Sequence, residues 1–139
     1  MSATDAYENK ILDHVTGNTP FVPPDTLWLG LAQATDANFA AVWNSLEAGN
    51  FTYELTTVGT GYSRQPITFN PSTKIAGDYV AYANKVIFPI ATTTWTNIRF
   101  NFIADAQTGG NILFWIHSNY SLESPVGCRF TSIVNMGLQ

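Results

Sequence analysis

Strand-length stretches of alternating apolar and polar residues dominate this chain, and the clearest lie between Trp95 and His117. In Ile98-Arg99-Phe100-Asn101-Phe102 every second residue is apolar, which predicts a half-buried strand with its apolar side chains on one face. Ile112-Leu113-Phe114-Trp115-Ile116 has no polar position and predicts a strand covered on both faces. The turn between them, Asp105 to Asn111, contains Gly109-Gly110, which supply the positive φ angles of a hairpin connection. Thr26 to Gln33 reads as an earlier strand, with Leu27, Leu29 and Leu31 on one face and Gly30 leaving room for a close neighbour on the other. Tyr79 to Ile90 alternates too, with Val80, Tyr82, Val86, Phe88 and Ile90 on one face and Lys85 opposite. Tyr62 to Phe69 carries Pro66, which restricts it to a sheet edge or a bulge, and Tyr53 to Val58 is a short edge candidate. Arg129 to Leu138 closes the chain, with Phe130, Val134, Met136 and Leu138 inward. About six strands separated by turn signals predict a mainly β fold, an antiparallel β-sandwich.

Two segments follow a helical period instead. Over Asp5 to Val15, Tyr7, Ile11, Leu12 and Val15 recur at helical spacing, with Thr4 or Asp5 as the cap and Gly17 as the stop. Gly17 to Asp25 then contains three prolines and reads as an extended arm. A short N-terminal helix on an extended Pro-rich arm either packs on its own domain, the default for a docked terminus, or reaches a neighbouring subunit. Asp36 to Ala48 is the second helix, capped by Asp36, striped by Phe39, Val42, Trp43 and Leu46, and ended by Gly49. The organisation expected is residues 1–25 as helix and arm, and 26–139 as the sandwich, within one globular domain.

Charged residues make up only 12% of the chain, about half the usual ~25%, and Thr, Asn, Ser and Gln replace them. Such a surface suits close packing against other proteins, or it reflects Thr-rich strand faces. The net charge is −4 and no Lys/Arg cluster occurs, which argues against a nucleic-acid groove. No apolar run approaches the ~18 residues of a membrane span. The N-terminus lacks the basic and apolar regions of a secretion signal, so synthesis and use without export are expected. Cys128 is the only cysteine, which fits assembly in a reducing cytoplasm, and a buried structural thiol is its commonest role.

Candidate chemistry is sparse. His14 and His117 have no third ligand at a recognisable spacing, so no metal site is expected. Asp78, Asp105 and Glu123 fall in predicted turns, where acidic residues usually serve the turn. No nucleophile–base or acid–base constellation is visible, so neither enzymatic activity nor a cofactor is expected. Trp28, Trp43, Trp95 and Trp115 sit at core-like spacing, leaving Tyr53, Tyr62, Tyr79 and Tyr120 as the aromatic residues placed for sugar stacking.

Several pieces taken in order resemble a widespread family of small tailed-phage virion proteins, tail-fibre-like or decoration-like. They are Tyr7-Glu8-Asn9-Lys10-Ile11-Leu12-Asp13-His14-Val15-Thr16-Gly17, Pro24-Asp25-Thr26-Leu27-Trp28-Leu29-Gly30-Leu31 and Gly61-Tyr62-Ser63-Arg64-Gln65-Pro66-Ile67-Thr68-Phe69. Ile87-Phe88-Pro89-Ile90-Ala91, Trp95 and Asp105 to Trp115 continue the series. Two regions depart from it. Ala37 to Tyr53 replaces a short Gly-rich loop, so the second helix looks like an insertion, and Ser124 to Arg129 replaces a Thr-, Gly- and Asp-rich stretch. The resemblance implies a non-enzymatic structural protein of the virion, assembled in the host cytoplasm. The compact domain and the absence of fibrous repeats favour a capsid cement or decoration protein, a homotrimer that clamps neighbouring copies of the major capsid protein. The alternative is a tail-tip or tail-fibre component bound to tail proteins and touching host glycans. Residues expected to contact a partner are Tyr7, Ile11, Leu12, Phe21, Val22, Phe39 and Trp43.

Overall fold

Two hydrophobic clusters lie on opposite faces of one five-stranded antiparallel sheet in a computed structural model that describes residues 1–138. The elements in chain order are β1 (Ser2–Ala3), α1 (Asp5–Val15), β2 (Leu27–Gln33), α2 (Phe39–Glu47), β3 (Gln65–Ile67) and β4 (Thr73–Ile75). They continue with β5 (Asp78–Tyr82), β6 (Val86–Ile90), β7 (Trp95–Ala104), β8 (Ile112–Ser124), β9 (Arg129–Ser132) and β10 (Asn135–Leu138). The main sheet runs β1-β8-β7-β2-β3, a second sheet runs β10-β5-β4, and β6 pairs with β9. This is the expected mainly β, antiparallel architecture with two helices.

The first cluster unites Leu29 and Leu31 of β2 with Ile67, Val86, Phe88, Trp95, Ile98 and Phe130. The second sits beneath α2, where Val42 and Leu46 meet Phe100, Phe102, Ile112 and Trp115. β8 serves both, sending Phe114 and Ile116 to the first and Ile112 and Trp115 to the second, as a strand without a polar face should. Gly30 faces the Phe102 ring so closely that a Cβ there would lie 2.1 Å from a ring carbon.

Several expectations need correction. Ile98 faces the first cluster while Phe100 and Phe102 face the second, because the register with β2 shifts and Arg99 becomes the extra residue of a bulge. Tyr79 to Ile90 is two strands. Asn84 interrupts it, its side-chain oxygen accepting from the Thr68 amide (2.8 Å) and hydroxyl (3.0 Å). Tyr82 and Ile90 are therefore exposed while Val86 and Phe88 are buried. Arg129 to Leu138 also divides in two, with Phe130 and Val134 inward and Met136 packed partly on the first cluster. The side chain of Leu138 and residue 139 lie outside the described residues. Tyr53 to Val58 shrinks to a single bridge between Glu54 and Ala32.

α1 spans the expected residues and ends at Gly17 with φ +77°. Its Thr4 cap uses its hydroxyl differently, however, donating to the Ile112 carbonyl at 2.9 Å while its amide donates to Leu113 at 3.0 Å. α2 starts after Asn38 rather than Asp36. Asp36 is exposed and pairs with Arg99, whose guanidinium lies 4.7 Å from the Phe39 ring centre.

Candidate interaction surface

The densest polar arrangement surrounds Arg64, which is buried just ahead of β3. Its Nε and Nη2 donate to the two carboxylate oxygens of Glu54 at 2.8 and 2.7 Å. Its Nη1 donates to the carbonyls of Ala106 (2.8 Å) and Gly109 (2.7 Å) in the β7–β8 turn. The guanidinium also lies 4.1 Å from the Phe51 ring centre, a cation–π contact. Tyr62 completes the group, its hydroxyl donating to Glu54 at 2.9 Å and accepting from the Leu31 amide at 3.0 Å. Burial, together with the neighbouring Glu54 carboxylate, pushes the Tyr62 phenol well above its ordinary value. These groups fasten three distant segments together. Arg64 spends its donors on structural acceptors, which leaves it unsuited to proton transfer or to holding an anion. Arg64 also lines an open cleft of about 510 Å³, together with Glu54, Thr57, Tyr62, Ser63 and Gln107 to Gly109 of the turn.

Sequence reasoning noted Arg64 only as part of a motif. The signal that could have revealed its role was a lone arginine in a strand-like run, which needs a carboxylate partner when buried.

The other candidate groups are scattered. His14 accepts from the Phe21 amide at 3.0 Å through Nδ1 and so ties the arm back to α1. His117 stands exposed at the rim of the second cluster, its ring 5.1 Å from that of Trp43. Asp105 accepts from the Asn111 amide (2.7 Å) and side chain (2.8 Å). Burial pushes this carboxyl up, but the bonds from Asn111 outweigh it and hold the group below its ordinary value. Asp78 and Glu123 belong to strands, not turns, and Cys128 is exposed rather than buried. Among the described residues no three His, Cys, Asp or Glu side chains gather as a metal site would require. Tyr62 is buried and Tyr53 packs on the second cluster, whereas Tyr79 and Tyr120 are exposed on separate strands.

The expected partner-contact residues separate into two sets. Phe39 and Trp43 pack on the second cluster, with the Trp43 ring 4.4 Å from that of Trp115. Tyr7 wedges between Phe21 (5.2 Å) and Phe114 (4.9 Å) and docks α1 and the arm on β8. Ile11, Leu12 and Val22 reach solvent, and so does Val15, the last residue of the helical stripe. α1 has no buried residue at all. The helix is held to the fold by Tyr7 and by its Thr4 cap, and it leaves Leu12 at 62% and Val15 at 75% exposure.

The family model of the podophage GP4 fiber I protein gp80 matches residues 2–129, from β1 into the start of β9. The chain belongs to this family of phage fibre proteins. No curated protein matches it. The gp80-family match covers the Arg64 clamp, the β7–β8 hairpin and α1 together. It places the chain among tailed-phage virion structural proteins.

Proposed function

We propose that this chain is a non-enzymatic structural subunit of a tail fibre, incorporated into the virion during assembly in the host cytoplasm. The observation that carries this reading is the family match over residues 2–129, whose description is of a fibre protein. That description supports a fibre component in preference to the capsid cement suggested by the compact domain and arm. The geometry agrees with a mechanical role, because the buried polar groups bind strand to turn and the unsatisfied apolar surface faces outward. The partners are then other tail proteins and further copies of the chain, for which a homotrimer is the proposed state. Exposed Tyr79 and Tyr120 offer stacking surfaces for host glycans.

Imaging of intact particles that carry a tagged copy tests the location. A few copies confined to the tail are expected, and a lattice of copies over the shell would replace this reading with the cement one. Light scattering of the purified chain reports the oligomer.

A further inference from the structure

We infer that the outward face of α1 docks in a groove of a different virion protein, one with an apolar floor and Lys or Arg side chains along one end. The inference rests on the fibre reading for its partner class and on α1 itself for the chemistry.

Residues three and four apart share a helix face. Tyr7 faces β8, and Ile11 lies one turn further along the same side. Asp5, Glu8, Leu12 and Val15 follow each other at spacings of three, four and three on the side turned away, and all four are exposed. The outward face is therefore acidic at its N-terminal half and apolar at its C-terminal half. Asp5 and Glu8 also complement the helix N-terminus, but that gives no reason for Leu12 and Val15 to stand in water. A helix laid in a groove uses such spacing for its anchors.

Charge selects the occupant. Residues 1–25 hold four acidic side chains and one lysine, so they carry −3 of the chain's −4 net charge. A second α1 would bring the same charge to the contact and repel it. The rest of this chain has no basic surface to offer in exchange, because Arg64 is buried and Arg99 is mostly covered. Lys74, Lys85 and Arg129 are exposed but lie on β4, between β5 and β6, and on β9, so no element presents two of them. The complementary surface must come from another protein.

Co-sedimentation of the purified full chain with particles lacking it tests the inference, at low and at high salt. The wild-type chain is expected to bind, and more weakly at high salt. Leu12→Asp with Val15→Asp should weaken binding about tenfold or more, since both side chains would be anchors of the contact. Asp5→Lys with Glu8→Lys should weaken it comparably and flatten the salt dependence. All four positions are exposed, so the melting temperature of the domain should change little. Circular dichroism reports any loss of α1 itself. Asp5→Asn with Glu8→Gln, which puts no cation at the helix N-terminus, should weaken binding and its salt dependence in the same direction. Wild-type binding that none of these variants alters would overturn the inference and leave the fibre reading standing. A wild-type chain that never sediments with particles would remove the fibre reading as well. Oligomers of the purified chain that Leu12→Asp with Val15→Asp dissolves would show that a second copy, not another protein, covers this face.

Discussion

Arg64 is the side chain on which most of the polar interior depends. Replacing it with leucine would strand the Glu54 carboxylate and leave the Ala106 and Gly109 carbonyls without their donor. Removing one partner of a buried pair costs about 3–5 kcal/mol. For a domain of this size the expected result is a melting temperature lower by roughly 10 °C, read by calorimetry. Lysine should rescue little, because one ammonium cannot serve a bidentate carboxylate and two carbonyls at once. Asp105 gives a pH dependence of known sign. Its carboxyl titrates below its unfolded value, so its contribution is complete above the unfolded pKa of about 3.9 and is lost as pH falls through the lower folded value. Acid unfolding followed by tryptophan fluorescence should therefore be less steep in Asp105→Asn than in the wild type. The same turn needs Gly110, at φ +73°, where a Cβ would lie 2.3 Å from the Asp105 oxygen it must clear.

Among the elements, β1 matters more than its two residues suggest. Ser2 and Ala3 pair with Trp115 and Phe114, and Thr4 then closes the junction with α1 by donating to two carbonyls of β8. Thr4→Val keeps the shape but leaves the Ile112 carbonyl without its buried donor, at a cost of about 1–3 kcal/mol. Because this loss falls at the base of α1, limited proteolysis should cut residues 5–25 faster in the variant while β7 and β8 stay protected. Local signals made the helices legible: a polar cap, a 3.6-residue stripe and a terminating glycine lie within one short window. The same stripe left open which of Tyr7, Ile11, Leu12 and Val15 pack on the domain, since period alone identifies a helix and cannot say how much of it finds a partner. The hairpin turn was readable from Gly109-Gly110. The Arg99 bulge was not, because inserting one residue in β7 leaves the composition of the run unchanged while reversing the side on which Ile98 lies. The clamp on Arg64 was hidden for another reason. Glu54 is 10 residues away and the Ala106 carbonyl 42, and nothing in local spacing connects them.

For the molecule as a whole, the main sheet is covered on one side by other strands and on the other by α2 and the segment that follows it. Residues 37–53 therefore roof the second cluster, where Phe100, Phe102 and Trp115 would otherwise meet water. Replacing them with a short Gly-rich loop should leave the first cluster in place but expose these rings. Increased binding of a hydrophobic dye and a lower melting temperature are the expected signs. One small feature at the far end of the chain gives practical access to the particle. Cys128, exposed after β8, is the only thiol in the protein. A maleimide-linked gold cluster would therefore attach at one defined point per copy without any engineering of the sequence, and each labelled subunit would appear as a single dense mark in an electron micrograph.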